Sequence, residues 1–205
     1  TKMTLLNPDI SDCPYDAYGK LRTEAPVWRD NATGMFVITR YEDVRMVLSD
    51  TERFTSARHR GRVDPRSAKI KAMYEQDGWV PGATLAARDD PEHREMRGLF
   101  NHAFRPSKIK EMDPFIEVLA HQLIDDFIET GTCDWVRSFA IPLPLIVIGR
   151  QMGARDEDMW QIKAWTDAWV QRLGMMQSDD EAFWSTAQEI EAQHYFQPIF
   201  ERLRD

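Results

Sequence analysis

His93 and Arg97 stand four residues apart inside the run Asp90-Pro91-Glu92-His93-Arg94-Glu95-Met96-Arg97. The run reads as the opening of a helix, because Asp90 can cap the first free N–H groups and Pro91 suits the first helical position with its φ already set. Residues four apart share one face, so an imidazole and a guanidinium would sit one turn apart near the positive end of the helix dipole. Such a pair offers hydrogen-bond donors converging on something anionic. Other chemistry is sparse. No G-x-S-x-G elbow, Gly-rich phosphate loop or H-E-x-x-H occurs, which leaves serine hydrolase, P-loop and zincin readings without support. Among His59, His93, His102, His121 and His194, no two stand at ligand spacing with a third donor nearby. His121 and His194 read as satisfied surface or core residues, and Glu42 with Arg45 as a surface pair.

The elements that must position the His/Arg pair can be read from periodicity. Tyr18, Leu21 and Ala25 mark a short helix over 16–24 that ends at Pro26. Residues 27–29 and 35–39 flank the turn residues Asp30 to Gly34, which predicts a hairpin with a five-residue loop. Residues 41–48 should be helical, with Val44, Val47 and Leu48 inward. An irregular stretch is expected from Phe54. Within it Arg58, His59, Arg60, Arg62, Arg66, Lys69 and Lys71 face one acid, Asp64. That patch reads either as a solvated loop or as an entrance attracting a carboxylate-bearing ligand.

Beyond the His/Arg helix, Met112, Phe115, Ile116, Leu119, Leu123 and Phe127 form the apolar stripe of a helix from 112 to about 129, stopped by Gly131. Another follows Pro142 and Pro144 and closes near Gly153, and Asp156 is expected to cap the next. Ile162, Trp165, Trp169 and Leu173 recur along that one, a stripe more often core than ligand wall. Ser178 to Glu181 supplies a capping box for a last helix with Phe183, Ala187 and Ile190 inward, which Pro198 should kink or shorten. Ile199, Phe200 and Leu203 then have few evident partners, so a missing companion segment is expected. The order argues a mainly α protein with a small β-hairpin.

Composition sets the bounds. The 205 residues can form a sizeable core, and 42% hydrophobic with 11% aromatic content is ordinary for a globular chain. A net charge of -8 argues against nucleic-acid binding, which needs a cationic face. Cys13 and Cys133 suggest neither a disulfide framework nor a zinc module, and a reducing cytoplasm fits. The most apolar run, 141–148, holds two prolines and is too short to cross a bilayer, and no signal-peptide pattern opens the sequence.

Taken in order, these pieces resemble the N-terminal half of a soluble bacterial cytochrome P450. The resemblance runs through the early helix to Pro26, the Trp28 to Arg40 hairpin, Tyr41-Glu42-Asp43-Val44, and Arg53-Phe54-Thr55-Ser56. It is strongest where Asp90 to Arg97 is followed by Asn101-His102-Ala103-Phe104-Arg105-Pro106, matching D-P-x-H-x-x-x-R…F-x-P. The resemblance implies a single domain of which residues 1–205 are the N-terminal portion. It also implies haem b as cofactor, with His93 and Arg97 donating to its propionates. Leu85, Ala86, Trp169, Leu173 and Met176 would line the substrate pocket, with ordinary loop and core residues as the alternative. Arg94, Arg105, Lys108 and Lys110 would face a ferredoxin-type electron donor, or form a plain solvated helix face.

The implied activity is a haem-thiolate monooxygenase inserting one oxygen atom from O2 into a small hydrophobic substrate. The F-x-x-G-x-x-x-C-x-G loop that ligates iron is absent, as are the acid/alcohol pair of the central helix and the bracing E-x-x-R. These 205 residues alone are therefore expected to be inactive, with no metal ligand of their own. A rival expectation is a non-catalytic helical interaction module derived from such an enzyme.

Overall fold

The computed structural model describes residues 3–4, 6–57, 67–173 and 177–204. It divides into two compact units, Thr1–Arg60 with Ala83–Arg94, and Gly61–Gly82 with Glu95–Asp205.

The first unit begins with α1 (Pro8–Asp12), a short helix not expected from the sequence, capped by the Asn7 side chain on the Asp9 N–H at 3.1 Å. The second helix, α2 (Tyr15–Glu24), buries Leu21 and leaves Tyr18 on its exposed side. Strands β1 (Val27–Arg29) and β2 (Phe36–Ile38) pair antiparallel, with Trp28 opposite Val37. Their turn is built on Asp30, which is wholly buried. Its carboxylate accepts from the Ala32 N–H at 2.9 Å and from the Thr33 and Thr4 hydroxyls at 3.1 and 3.0 Å. Gly34 supplies the left-handed turn with φ 75°. In α3 (Tyr41–Ser49) Val44 and Val47 are half-buried, but Leu48 is 79% exposed and does not face inward.

In the second unit the irregular stretch expected after Phe54 gives way to α4 (Ser67–Asp77). Lysines alternate with its apolar positions and dilute the helical signal, yet Tyr74 is buried. Lys69 and Lys71 therefore lie on a helix. Lys69 Nζ stands 3.7 Å over the Phe183 ring and Lys71 pairs with Glu75 at 3.3 Å. Arg58, His59, Arg60, Arg62, Asp64 and Arg66 lie outside the described residues.

Helix α5 (Glu92–Ala103) leaves the first unit and continues into the second, followed by α6 (Pro106–Lys110) and α7 (Asp113–Ile128). The α7 stripe is inward as expected, with Leu119 buried, and Gly131 follows its end at φ 71°. A π-turn at Val136–Ala140 leads into α8 (Pro142–Gln151), which buries Pro142, Ile146 and Gly149. Asp156 does not cap the next helix directly. It opens a 3-10 turn (Asp156–Asp158) and accepts Arg150 Nε and Nη2 at 2.8 and 2.5 Å, which holds its carboxyl below the usual range.

Helices α9 (Met159–Leu173) and α10 (Asp179–Arg204) pack on each other, α9 also on α8 and α10 also on α4. The core here gathers Ala154, Ile162 and Trp165, with Leu145, Ala192, Tyr195 and Phe196 against them. The capping box forms as read: Ser178 N–H and Oγ donate to Glu181 Oε2 at 2.7 and 2.8 Å, and Glu181 N–H returns to Ser178 Oγ at 3.3 Å. Pro198 does not shorten α10, which continues to Arg204. Ala187 is exposed, and small residues Ala182, Ser185 and Thr186 take the inward face instead. Ile199 also departs from expectation. It is buried against Gly153, while Phe200 and Leu203 stay exposed.

Candidate functional site

The site begins at residues 88–92, where side chains of both signs fix the start of α5. The helix opens at Glu92 rather than Pro91, and its first bond runs from the His93 N–H to the Asp89 carbonyl at 2.9 Å. The Asp90 carboxylate reaches Arg94 Nη2 at 2.5 Å and stands 3.6 Å from His93 Nδ1. It pairs with side chains because ion pairing to a guanidinium outweighs a neutral backbone donor. Arg88 donates to Glu92 Oε2 at 2.7 Å and to the Ala83 carbonyl at 3.1 Å, tying the preceding loop to the same turn.

From that start, His93 and Arg97 fall one turn apart on a continuous helix and share a face, as their spacing requires. His93 is 43% exposed in its side chain. Arg97 is exposed, and its Nε donates to Asn101 Oδ1 at 3.2 Å, a neutral partner that leaves the guanidinium charge uncompensated there. Phe100 follows seven residues from His93 on the same side of α5, Phe104 stands just past the helix end, and they are 48% and 43% exposed. The face thus carries two N–H donors at its N-terminal end, one of them the Arg97 guanidinium, and aromatic side chains at and just past its other end, a donor set matched to a ligand with an anionic end and a flat apolar body.

The other residues singled out from sequence are placed as follows. Leu85 is half-buried and Ala86 exposed in a 3-10 turn (Leu85–Ala87). Trp169 is 44% exposed beside a hollow of about 190 Å³ between α9 and α10, lined by Ile162, Trp165, Trp169, Ala192 and Phe196 with polar Thr166 and Glu189. The aromatic stripe is thus core at Trp165 and open at Trp169. Leu173 closes α9; its side chain, and all of Met176, lie outside the described residues. Arg94 is 81% exposed in its side chain and paired to Asp90. Arg105 and Lys110 are exposed, and Lys108 pairs with Glu111 at 2.7 Å. Cys13 and Cys133 are free and exposed, and among the described residues no group of His, Cys, Asp and Glu could hold a metal ion.

Sequence reasoning missed one polar cluster. Tyr74 of α4 donates to Glu189 of α10 at 2.7 Å, and Arg172 of α9 contacts both, reaching the Tyr74 hydroxyl at 2.5 Å. Burial and the adjacent Glu189 carboxylate push the Tyr74 phenol up to about 12. Nearby, Gln193 pairs with the Trp79 backbone in both directions at 3.1 and 2.8 Å, and His194 Nε2 meets the Asp77 carbonyl at 2.6 Å. His194 is therefore the satisfied residue expected.

No protein-family model matches the chain. Curated relatives do. The polyketide biosynthesis cytochrome P450 PksS of Bacillus subtilis is 32% identical over 163 residues, covering 77% of this chain and 40% of its own. Cytochrome P450(MEG) of Priestia megaterium is 32% identical over 155 residues, covering 75% and 36%. This chain belongs to the cytochrome P450 family. It corresponds to the N-terminal half of the P450 fold, and the solved structure of PksS matches it with TM-score 0.75 at 27% identity, over 98% of this chain and 48% of that one. Cytochrome P450 CREJ, solved with (4-ethylphenyl) dihydrogen phosphate, matches with TM-score 0.78 at 26% identity over 100% and 50%. The chain thus spans about two fifths of the length of these curated relatives. Membership implies a haem cofactor.

Proposed function

We propose that residues 1–205 form the N-terminal portion of one P450 domain and supply the propionate-binding side of a haem b site. The observation that supports this is the composite face of α5, with His93 and Arg97 followed by exposed Phe100, and exposed Phe104 just past the helix end. His93 and Arg97 donate to the two carboxylates, which keeps them ionised beside apolar surface. Phe100 excludes water along the same face.

When bound, haem with a cysteine thiolate on its iron supplies the activation of O2 for a monooxygenase acting on a small hydrophobic substrate. The thiolate is assigned to a cysteine outside these residues, since neither Cys13 nor Cys133 stands in an F-x-x-G-x-x-x-C-x-G loop. The 205 residues by themselves are inactive in this reading. Leu85, Ala86, Trp169, Leu173 and Met176 contribute pocket wall, where apolar area rather than charge retains the substrate. Arg94, Arg105, Lys108 and Lys110 attract an acidic ferredoxin-type donor, which steers its approach. No helix among the described residues is long and apolar enough to cross a membrane.

Hemin titration of the complete protein tests this reading. His93→Ala or Arg97→Ala should each weaken hemin retention by about 1–3 kcal/mol, the worth of a charged hydrogen bond in a partly buried site. Unchanged retention in both variants would remove the propionate assignment.

A further inference from the structure

The step Arg53-Phe54-Thr55-Ser56 has no part in the proposed chemistry, yet it grips the residue that starts the His93 helix. The Asp89 carboxylate accepts the Thr55 hydroxyl through Oδ2 and the Ser56 N–H through Oδ1, the latter at 2.7 Å. Thr55 Oγ1 in turn accepts the Ala57 N–H at 3.1 Å, which holds the hydroxyl in place to donate. The same Asp89 receives the His93 N–H on its own backbone carbonyl at 2.9 Å. One residue therefore joins the 55–56 backbone, through its side chain, to the first hydrogen bond of α5, through its main chain. All of these groups lie within the first unit.

The adjacent acid lies near the imidazole. Asp90 stands on the Nδ1 side of His93 at 3.6 Å, which leaves Nε2 as the ring nitrogen turned away from that carboxylate. A donor to a ligand needs both its backbone start and its ring azimuth held, because hydrogen-bond strength falls steeply with misalignment. Asp89 fixes the first. A carboxylate gripping a backbone N–H and a hydroxyl together resists rotation better than either bond alone.

We infer that Asp89, held by Thr55 and Ser56, is a positioning residue for the anion donor His93. The inference rests on the reading of His93 as a propionate donor and adds the device that aims it. Asp89 touches neither haem nor substrate in this account. Its effect passes through the helix start.

A double-mutant cycle on hemin affinity in the complete protein tests it, with amide hydrogen exchange at His93 in the haem-free complete protein as a second readout. Asp89→Ala should weaken hemin binding about tenfold, in the range of losses seen when a supporting partner of a ligand is removed. In a His93→Ala background the same change should cost almost nothing, because the group it positions is gone. Thr55→Val should repeat the pattern, Thr55→Ser should restore hemin affinity, and both Asp89→Ala and Thr55→Val should speed exchange of the His93 amide. If Asp89→Ala does not fold, the Thr55→Val cycle decides alone. An equal loss in the presence and absence of His93 would mark a merely structural contact and overturn the inference while leaving the haem site intact. Should His93→Ala itself leave hemin affinity unchanged, the haem reading and this inference fall together.

Discussion

Arg97 and Tyr74 show the two ways this chain uses a polar side chain. Arg97 is exposed with a neutral partner, so its charge is available to a ligand. Tyr74 is 3% exposed and bound on both sides, so its hydroxyl is committed to structure. Burial raises the Tyr74 phenol from 10.0 to about 12. An acid with a raised folded value keeps a proton that the unfolded chain has lost. Its contribution is therefore whole below about pH 10 and declines as pH climbs towards about 12. Tyr74→Phe should cost about 1–2 kcal/mol at pH 8, the worth of a part-buried hydroxyl paired to charged groups. Urea midpoints measured from pH 9 to 12 should fall less in the variant than in the parent. A steeper fall in the variant contradicts the assignment. His93 and Arg97 were legible because a four-residue spacing on a helix is local information. Tyr74 was not, since Glu189 lies 115 residues away and nothing in the α4 sequence points to it.

Helices in this chain are ended by local chemistry and oriented by distant contacts. The Ser178/Glu181 box caps α10, and the Ser178 backbone and hydroxyl donors hold the Glu181 carboxyl below its usual range. Ser178→Ala should destabilise the protein by about 1 kcal/mol, measured by chemical denaturation. A carboxyl depressed in the folded state gives stability present above its unfolded value and lost as pH falls, so the variant should also lose less on acidification. At the α8 end, Gly153 adopts φ 80°, and a Cβ there would stand 2.7 Å from Ile199 Cγ2. Gly153→Ala should therefore cost about 1–3 kcal/mol through backbone strain and overpacking. A neutral substitution would show that α10 can shift away. The hairpin, α7 and the α10 cap could be read beforehand because turn and cap chemistry is carried by adjacent residues. The inward face of α10 could not. Ala182, Ser185 and Thr186 are chosen by close helix approach, a tertiary demand that hydrophobic periodicity does not record.

At the scale of the whole molecule, the chain combines a net charge of -8 with local cationic sites on α5 and α6. A haem-binding role, as proposed, would explain why α5 presents N–H donors and a bare aromatic ring on a single face. Ile199 is the instructive case among the last apolar residues, because it finds its partner in Gly153, whereas Phe200 and Leu203 remain exposed as the sequence suggested. The most direct test is hemin affinity of the complete protein carrying His93→Ala and Arg97→Ala together, read from the Soret band alongside thermal stability. Loss of both donors should weaken binding by at least about tenfold, the equivalent of roughly 1.4 kcal/mol. Parent-like affinity and parent-like thermal stability in that double variant would contradict the account.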